Sequence, residues 1–273
     1  MKKFLPLIYC GCILFFAGCS SEENKNPTGD SAVAVKNDPS VNIIKTDSGR
    51  LEIKPISGIE ESDAVLYSAD GKIVQEGKFF DNKPAGAWLK YDEAGNVVSA
   101  YHYSQGKPAH KLDPEDFNFI TISKKGFGAT FSVPQKWPET PSPDAAHLVA
   151  FSKDLKDPSI KLNPNFNFRH EKLHAGDSLH GLSNMQLHIL HENVGRVFII
   201  EKSDFVLDGC EATRSYGTFT EESGTVGFLS AIIISGDDVW FFSCEAQNNK
   251  EGEFLNYQGV FQRILESFKK VNT

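Results

Sequence analysis

The chain has 273 residues, of which 40% are hydrophobic and 11% aromatic, so it can bury one domain core and carry a smaller module. Its 28 basic and 36 acidic side chains give a formal net charge of −8. This sign repels nucleic acid and anionic lipid headgroups, and no basic stripe offsets it, so the composition argues against a nucleic-acid partner.

The first eighteen residues have the features of an export signal. Two lysines precede an apolar run over residues 4–16, and small residues follow it. A spanning helix needs about 20 apolar residues, whereas this run is shorter and contains Pro6. The segment Ala17-Gly18-Cys19 resembles the lipobox of bacterial lipoproteins. The resemblance implies cleavage after Gly18 and palmitate-type acyl chains on Cys19, the alternatives being a plain cleaved signal and an uncleaved helix.

An acylated Cys19 would attach the mature chain to a membrane of the cell envelope. Ser20, rather than an aspartate, follows the cysteine, which favours the outer membrane by resemblance to known sorting patterns, with the protein facing the periplasm or the cell surface. Residues 19–40 are rich in Ser, Asn, Asp, Lys and Pro, so we expect a disordered tether. Loss of the signal removes two lysines and no acid, which makes the mature net charge −10.

Residues 41–112 contain a repeat with a period of 24 residues. Asp70-Gly71 predicts a tight hairpin turn with positive φ at both central positions. The pairs at this offset are Tyr67/Tyr91, Gly71/Gly95, Ile73/Val97, Val74/Val98, Phe79/Tyr103, Lys83/Lys107, Pro84/Pro108 and Ala85/Ala109. The order of glycines, lysines and aromatic residues from Gly77 to Gly95 resembles MORN-type repeats of the YwqK antitoxin subtype. This resemblance implies a short module of antiparallel β-hairpins.

Aromatic residues are concentrated in these repeats. One interpretation is that they fill the single buried face of a thin sheet. The alternative is an exposed face or open edge that binds a partner. The candidate partner-binding residues are Phe79, Trp88, Tyr91, Tyr101 and Tyr103. Because so small a repeat has too few residues for a robust core, we expect it either to dock on the larger domain or to self-associate.

From residue 113 to residue 273 the pattern predicts longer strands and two helices. A helix fits residues 178–193, with Asp177 or Ser178 as its N-cap. A closing helix has apolar residues at a spacing near 3.6, namely Phe254, Tyr257, Phe261, Ile264, Leu265 and Phe268. Strands are expected over residues 117–123, 129–133, 147–152, 160–173, 211–219, 225–235 and 239–246. The fold class is therefore α+β, with an antiparallel sheet flanked by helices.

Several short motifs in this region occur in a recognisable order. They are Phe131-Ser132-Val133-Pro134, Trp137, Leu207-Asp208-Gly209 and the segment from Ile264 to Lys269. Their order resembles the PsbP/DcrB-like superfamily. The resemblance implies an α/β/α sandwich used as a binding module, with no shared catalytic residues.

Metal and catalytic signals are weak. Five histidines lie within residues 170–191, but His180 and His191 are eleven residues apart, about 16 Å along a helix, so we expect a solvated polar face and no metal site. In the predicted meander Cys244 lies opposite about Ser230, and Cys210 is too far along for a bridge, which predicts two free thiols. Their acidic neighbours disfavour thiolate. There is no Gly-x-Ser-x-Gly or Cys-x-x-Cys motif, so we expect neither an enzyme nor a cofactor.

These features predict a non-enzymatic envelope lipoprotein that binds or scaffolds another envelope or secreted protein. The resemblance of the repeat to the YwqK subtype leaves an immunity or antitoxin role open. A third hypothesis is a periplasmic receptor for a small ligand or metal, with its cleft between the helix at 178–193 and the sheet.

Overall fold

The computed structural model describes residues 41–47, 49–55, 61–141, 147–157, 159–194, 196–221, 224–247 and 253–271. The predicted signal, Cys19 and the predicted tether lie outside these residues. In the described part of the chain, no helix is both long and apolar enough to cross a membrane.

Residues 42–112 form a seven-stranded antiparallel sheet whose strand order follows the chain order. Every strand pairs with the next one along the chain, so the sheet is a continuous meander. The strands are β1 (Asn42–Thr46), β2 (Gly49–Pro55), β3 (Glu61–Ser68), β4 (Ile73–Phe80), β5 (Lys83–Tyr91), β6 (Val97–Ser104) and β7 (Lys107–Leu112).

Turn geometry in this sheet repeats at the 24-residue offset. Gly71 and Gly95 have φ of 84° and 86°, and each donates its N–H to the carbonyl three residues earlier, at 3.0 and 3.1 Å. The β4–β5 turn at Asp81-Asn82 and the β6–β7 turn at Gln105-Gly106 both have two positive φ values. At Asp70-Gly71 the prediction of two positive φ values was wrong, because Gly71 has a positive φ and Asp70 does not. Whether these units are of the MORN type stays a prediction.

The rest of the chain forms two further sheets and two helices. After a 3₁₀ turn at Pro114–Phe117, a three-stranded sheet has the order β17-β9-β8, and a seven-stranded sheet has the order β10-β11-β12-β16-β15-β14-β13. The elements are β8 (Phe119–Ser123), β9 (Ala129–Pro134), β10 (Glu139–Thr140), β11 (Leu148–Ser152), β12 (Asn165–Lys172), α1 (Leu179–Val194), β13 (Val197–Leu207), β14 (Cys210–Glu221), β15 (Gly224–Ser235), β16 (Asp238–Gln247), α2 (Glu253–Glu266) and β17 (Lys269–Lys270).

The helices cover opposite faces of the larger sheet. Leu182 and Leu190 of α1 pack on one face, against Ile232 and Phe228 among others. Helix α2 and strand β9 pack on the other face, where phenylalanines in mainly edge-to-face contact fill the core: Phe131, Phe166, Phe168, Phe242, Phe261 and Phe268. The expectation of antiparallel sheets with two helices is confirmed.

The same core continues into the β1–β7 sheet. Leu89, Val97, Ala100 and Leu112 of this sheet are buried in the cluster that contains the α2 side chains. Gly259 of α2 lies so close to the sheet that a Cβ there would be 2.3 Å from the Cβ of Ala87. The sheet therefore docks on α2 through a glycine contact, one of the two outcomes expected for a module of this size.

Two details of the predicted body differ from the structure. The strand expected over 160–173 begins only at Asn165, after an irregular segment that ends at Pro164. Cys244 pairs with Leu229, one residue from the expected Ser230, because β15 is paired one residue out of the predicted register. Cys210 and Cys244 are buried free thiols, and the strand pairing puts Tyr216 rather than Cys210 in line with Leu229 and Cys244.

Candidate partner-binding surface

Trp88 is the centre of an aromatic cluster on the β1–β7 sheet. Its ring lies over Gly77, where a Cβ would be 2.3 Å from the indole, so only glycine fits beneath it. Phe79 packs edge-on against the indole at 5.4 Å between ring centroids, and Tyr103 packs at 5.9 Å. The indole nitrogen donates to the Lys78 carbonyl at 3.0 Å. Trp88 is 8% exposed and is held rigidly.

These aromatic side chains lie on the face of the sheet that points away from α2. Trp88 pairs with Tyr101, whereas the neighbouring Leu89 pairs with Ala100 in the core, and consecutive residues of a strand point to opposite faces. We call this the outer face. Its apolar members are Ile44, Leu51, Ile53, Ala64, Leu66, Phe79, Pro84, Trp88, Tyr101 and Tyr103.

Charge is segregated between the two faces of this sheet. The outer face carries no charged residue in strands β1 to β4, and only Lys90 and Lys111 in strands β5 to β7. The opposite, inner face of β1 to β4 carries Lys45, Arg50, Glu52, Lys54, Glu61, Asp63, Glu76 and Lys78. A sheet with one solvated face normally places its charges on that face. Here the charges lie on the same side of the sheet as α2, which contacts strands β5 to β7, and the apolar side chains lie on the opposite side.

The five aromatic candidates are therefore divided between the faces. Phe79, Trp88, Tyr101 and Tyr103 share the outer face, and Tyr101 is the most open of them at 39% exposed. Tyr91 lies on the inner face, where its hydroxyl donates to the Glu76 carboxylate. Burial and that carboxylate raise the pKa of Tyr91 above its usual value. Tyr91 belongs to the junction with α2, not to the outer face.

An ionic network fixes the inner face to the body of the protein. Arg263 of α2 donates to Glu76 at 2.7 Å, and Lys78 lies 2.9 Å from Glu266 of the same helix. Burial opposes the charge on Lys78, but the carboxylates of Glu266 and Asp63 outweigh it and raise the pKa of Lys78. Sequence patterns do not predict this network, because its partners are up to 188 residues apart and each of them looks like an ordinary surface charge.

Arg214 of β14 forms a second connection to the sheet. Its guanidinium lies 2.9 Å from Glu201 and 3.4 Å from Glu61 of β3, and it stacks over the Tyr216 ring at 5.4 Å. Its side chain is only 6% exposed. A buried guanidinium is stable only when carboxylates pair with it. Glu201 of the body supplies one carboxylate for Arg214, and Glu61 of β3 supplies the second.

Two clefts accompany the junction. One, of about 250 Å³, lies between the inner face and α2 and is lined by paired ions, among them Glu76, Lys78 and Arg263. The other, of about 350 Å³, lies beside the 3₁₀ turn, where Asp116 accepts from Lys153 at 2.6 Å and from the Trp137 indole at 3.0 Å. Burial raises the pKa of Asp116 in spite of both donors. In the first cleft Glu76, Lys78 and Arg263 are paired within the protein, and in the second Lys153 is paired with Asp116, so these ion pairs join neighbouring elements.

Beneath α1, where a small-ligand cleft is expected, the structure shows apolar packing, and the receptor hypothesis stays a prediction. Leu182 and Leu190 pack on the sheet there, together with Leu179 and Leu187. The amide nitrogen of Gln186 is buried without a partner among the described residues.

The histidines are dispersed. His180, His188 and His191 are exposed on α1, and no group of three metal-binding side chains occurs among the residues that the structure describes. His170 instead lies 2.7 Å from Asp238, beside the Trp240 ring. Burial opposes ionisation of Asp238, but Lys172 and His170 outweigh it and lower the pKa of this carboxyl.

Comparison with known proteins gives structural neighbours only. No family model and no curated protein matches the chain. The cyanobacterial PsbP of Synechocystis is 13% identical, with a TM-score of 0.44 over 56% of this chain and 92% of that one. The Ran-binding protein Mog1p of Saccharomyces cerevisiae is 14% identical, with a TM-score of 0.44 over 57% of this chain and 96% of that one.

LpqN of Mycobacterium tuberculosis, a protein involved in cell envelope biogenesis, is 14% identical, with a TM-score of 0.40 over 56% of this chain and 91% of that one. Similarities of this size carry no conclusion about what the chain does.

Proposed function

We propose that the chain is a lipid-anchored, non-enzymatic binding module of the cell envelope. It binds an envelope or secreted protein through the outer face. The observation that carries the proposal is the segregation of charge, which leaves a broad apolar face on the side of the sheet away from α2. Contiguous apolar patches on soluble proteins mark interaction sites. Trp and Tyr, the residue types at the centre of this face, supply most of the binding energy in protein interfaces.

The sequence supports the other parts of this proposal. The lipobox-like segment that ends at Cys19 supports the anchor, and Ser20 supports placement in the outer membrane. The resemblance of the hairpin units to MORN-type repeats supports their use as an interaction module. The rigid stacking of Trp88 on Gly77 favours binding, because a preorganised side chain loses little conformational entropy when a partner covers it.

Photocrosslinking in the native envelope tests the binding surface. A photoreactive phenylalanine analogue in place of Tyr101 should form protein adducts, since Tyr101 is exposed on the outer face. The matched control is the same replacement at Lys54, an exposed residue of the inner face, which should give few adducts. Absence of any protein adduct at Tyr101, or equal yields at both positions, would contradict the proposal.

The anchor needs a separate test. Cys19→Ala should release the protein from the membrane pellet and abolish incorporation of labelled palmitate, because the cysteine sulfur is the acylation site of a lipobox. Several acyl chains give firm attachment, at about 0.8 kcal/mol per buried methylene. Unchanged membrane association of the variant would show that the lipobox interpretation is wrong.

A further inference from the structure

The β1–β7 sheet is a single layer over most of its width. A β-sheet with one apolar face is stable when that face packs on another layer. Helix α2 contacts strands β5 to β7 on the inner face, and the described residues contain no element that packs on the outer face. Half-buried leucines and isoleucines of β1 to β3, such as Leu51 and Leu66, complete the apolar face beside the Trp88 cluster.

We propose that the envelope protein that occupies the outer face is a second copy of this chain, so that two β1–β7 sheets pack face to face as a sandwich. This inference rests on the proposed function, because it names the partner of the same surface. Two-layer sandwiches with aligned strands are a standard packing of antiparallel sheets, with the layers about 10 Å apart. The lipoprotein would then be a dimer with two lipid anchors.

The area of the outer face suits such a dimer. Six strand spacings of about 4.8 Å and a mean strand length of about 24 Å give a face of roughly 700 Å². A stable protein interface buries about 800 Å² on each partner. Two outer faces are therefore of the right size to bury one another, whereas a short peptide would cover only part of the surface.

Charge also favours self-pairing at this face. Two mature chains of net charge −10 repel one another in general, and a surface without acidic residues adds least to this repulsion. The outer face has none, and its two charges, Lys90 and Lys111, lie in the half formed by β5 to β7. A twofold axis parallel to the strands places β7 of one copy over β1 of the other. Both lysines then face uncharged strands, and like charges are kept apart.

The segment before β1 is a poorer occupant. Residues 19–40 consist mainly of Ser, Asn, Asp, Glu, Lys and Pro, and their only apolar cluster is the short run Ala32-Val33-Ala34-Val35. Four small side chains cannot cover a face that has ten apolar residues on it. The outer face of a second copy matches both the apolar character and the extent of the surface.

The arrangement makes a position-specific prediction, because β4 is the central strand and lies on the twofold axis. Gln75, on the outer face of β4, would lie opposite Gln75 of the second copy, about 10 Å away. In cells that express the full chain, Gln75→Cys should be joined to itself by a bis-maleimide of about that length. The control Lys54→Cys, on the inner face, should not be joined. The native Cys210 and Cys244 are buried and should not react.

Phe79→Glu should weaken the dimer at least about 100-fold in analytical ultracentrifugation, because it would place a carboxylate on β4 opposite the same carboxylate of the second copy, with the uncharged Ser62 and Pro84 as its strand neighbours. Circular dichroism of the variant checks that it folds, and the Gln75→Cys crosslink provides a test that does not depend on this variant.

Three results would overturn the inference. A chain that stays monomeric at all concentrations, while Tyr101 forms photoadducts with a different protein, refutes the second copy and leaves the proposed function standing. A dimer joined through Lys54→Cys but not Gln75→Cys refutes this face as the interface. The third result is a monomer in which the cysteine of Gln75→Cys does not react with maleimide in the full chain but does react after residues 20–40 are deleted. That result identifies the tether as the occupant of the outer face.

Discussion

The ion pair between Arg263 and Glu76 should couple the stability of the β1–β7 sheet to that of the body. The two side chains are 2.7 Å apart and are 28% and 20% exposed, so the pair lies between a buried and a surface salt bridge. Arg263→Met keeps the aliphatic length that packs near Phe117 but leaves the Glu76 carboxylate with only the Tyr91 hydroxyl. Breaking a buried pair costs about 3–5 kcal/mol and a surface pair less than about 1, so we expect a loss of about 2 kcal/mol.

A double-mutant cycle isolates this interaction. Glu76→Gln alone should also destabilise the protein, and the Arg263→Met/Glu76→Gln double variant should lose less than the sum of the single losses, with a coupling energy of about 1–2 kcal/mol. The free energy of unfolding is measured by urea denaturation, followed by circular dichroism and tryptophan fluorescence. Lys72→Met, which removes an exposed pair with Asp70, is the control and should change stability by less than about 0.5 kcal/mol.

Strictly additive losses, or a variant as stable as the parent, would refute the assignment of this ion pair as a fastening of the sheet to α2. In that case the sheet would be held to the body by the apolar contacts around Leu89 and Gly259 and by the ion pairs Lys78–Glu266 and Arg214–Glu61.

Three further predictions concern buried groups. Gly77→Ala should destabilise the protein by about 1–3 kcal/mol and change the near-ultraviolet dichroism, because the added methyl displaces the Trp88 ring; unchanged spectra would contradict this. Burial, assisted by His110, lowers the pKa of His102 from 6.5 to about 4, so the unfolded state takes up its proton first as the pH falls. Stability should therefore decline by about 3 kcal/mol between pH 6.5 and 4, and His102→Gln should flatten this decline in pH-dependent urea titrations. Cys210 and Cys244 are buried, and burial and Glu245 also raise the pKa of Cys244, so both thiols should react with a thiol reagent only after denaturation; fast labelling of the native protein would show that they are accessible.

Local signals in the sequence predicted the elements of the body well. The serine before α1 predicted its start, and in the structure the Ser178 hydroxyl accepts the Gly181 N–H at 3.1 Å. The 3.6-residue spacing of apolar side chains predicted α2, and these side chains are buried in the main core. Both signals operate within one or two turns of helix, so they do not depend on where the rest of the chain lies.

The sidedness of the β1–β7 sheet could not be predicted in the same way. Alternation in β2 shows that Arg50 and Leu51 lie on opposite faces, but it does not say which face meets the body. That choice is made by long-range contacts, above all the approach of Gly259 to Ala87 and the pairing of Arg263 with Glu76. A sequence pattern suggests that the apolar face is the docked one. Here the docked face combines apolar residues such as Leu89 and Leu112 with a glycine contact and ion pairs, and most of the aromatic side chains lie on the other face.

The strand order of the first sheet has a mechanical consequence. Because each strand pairs only with its sequence neighbours and β1 lies at the edge, a pulling force applied at Asn42 would peel β1 from β2, then β2 from β3, one ladder at a time. Unzipping in this manner loads few hydrogen bonds at once, so each step yields at low force. Complete extension from Asn42 to Leu112 would release roughly 240 Å of chain. Strands β1 and β2 would therefore extend first under tension, before the strands β5 to β7 that share a core with α2.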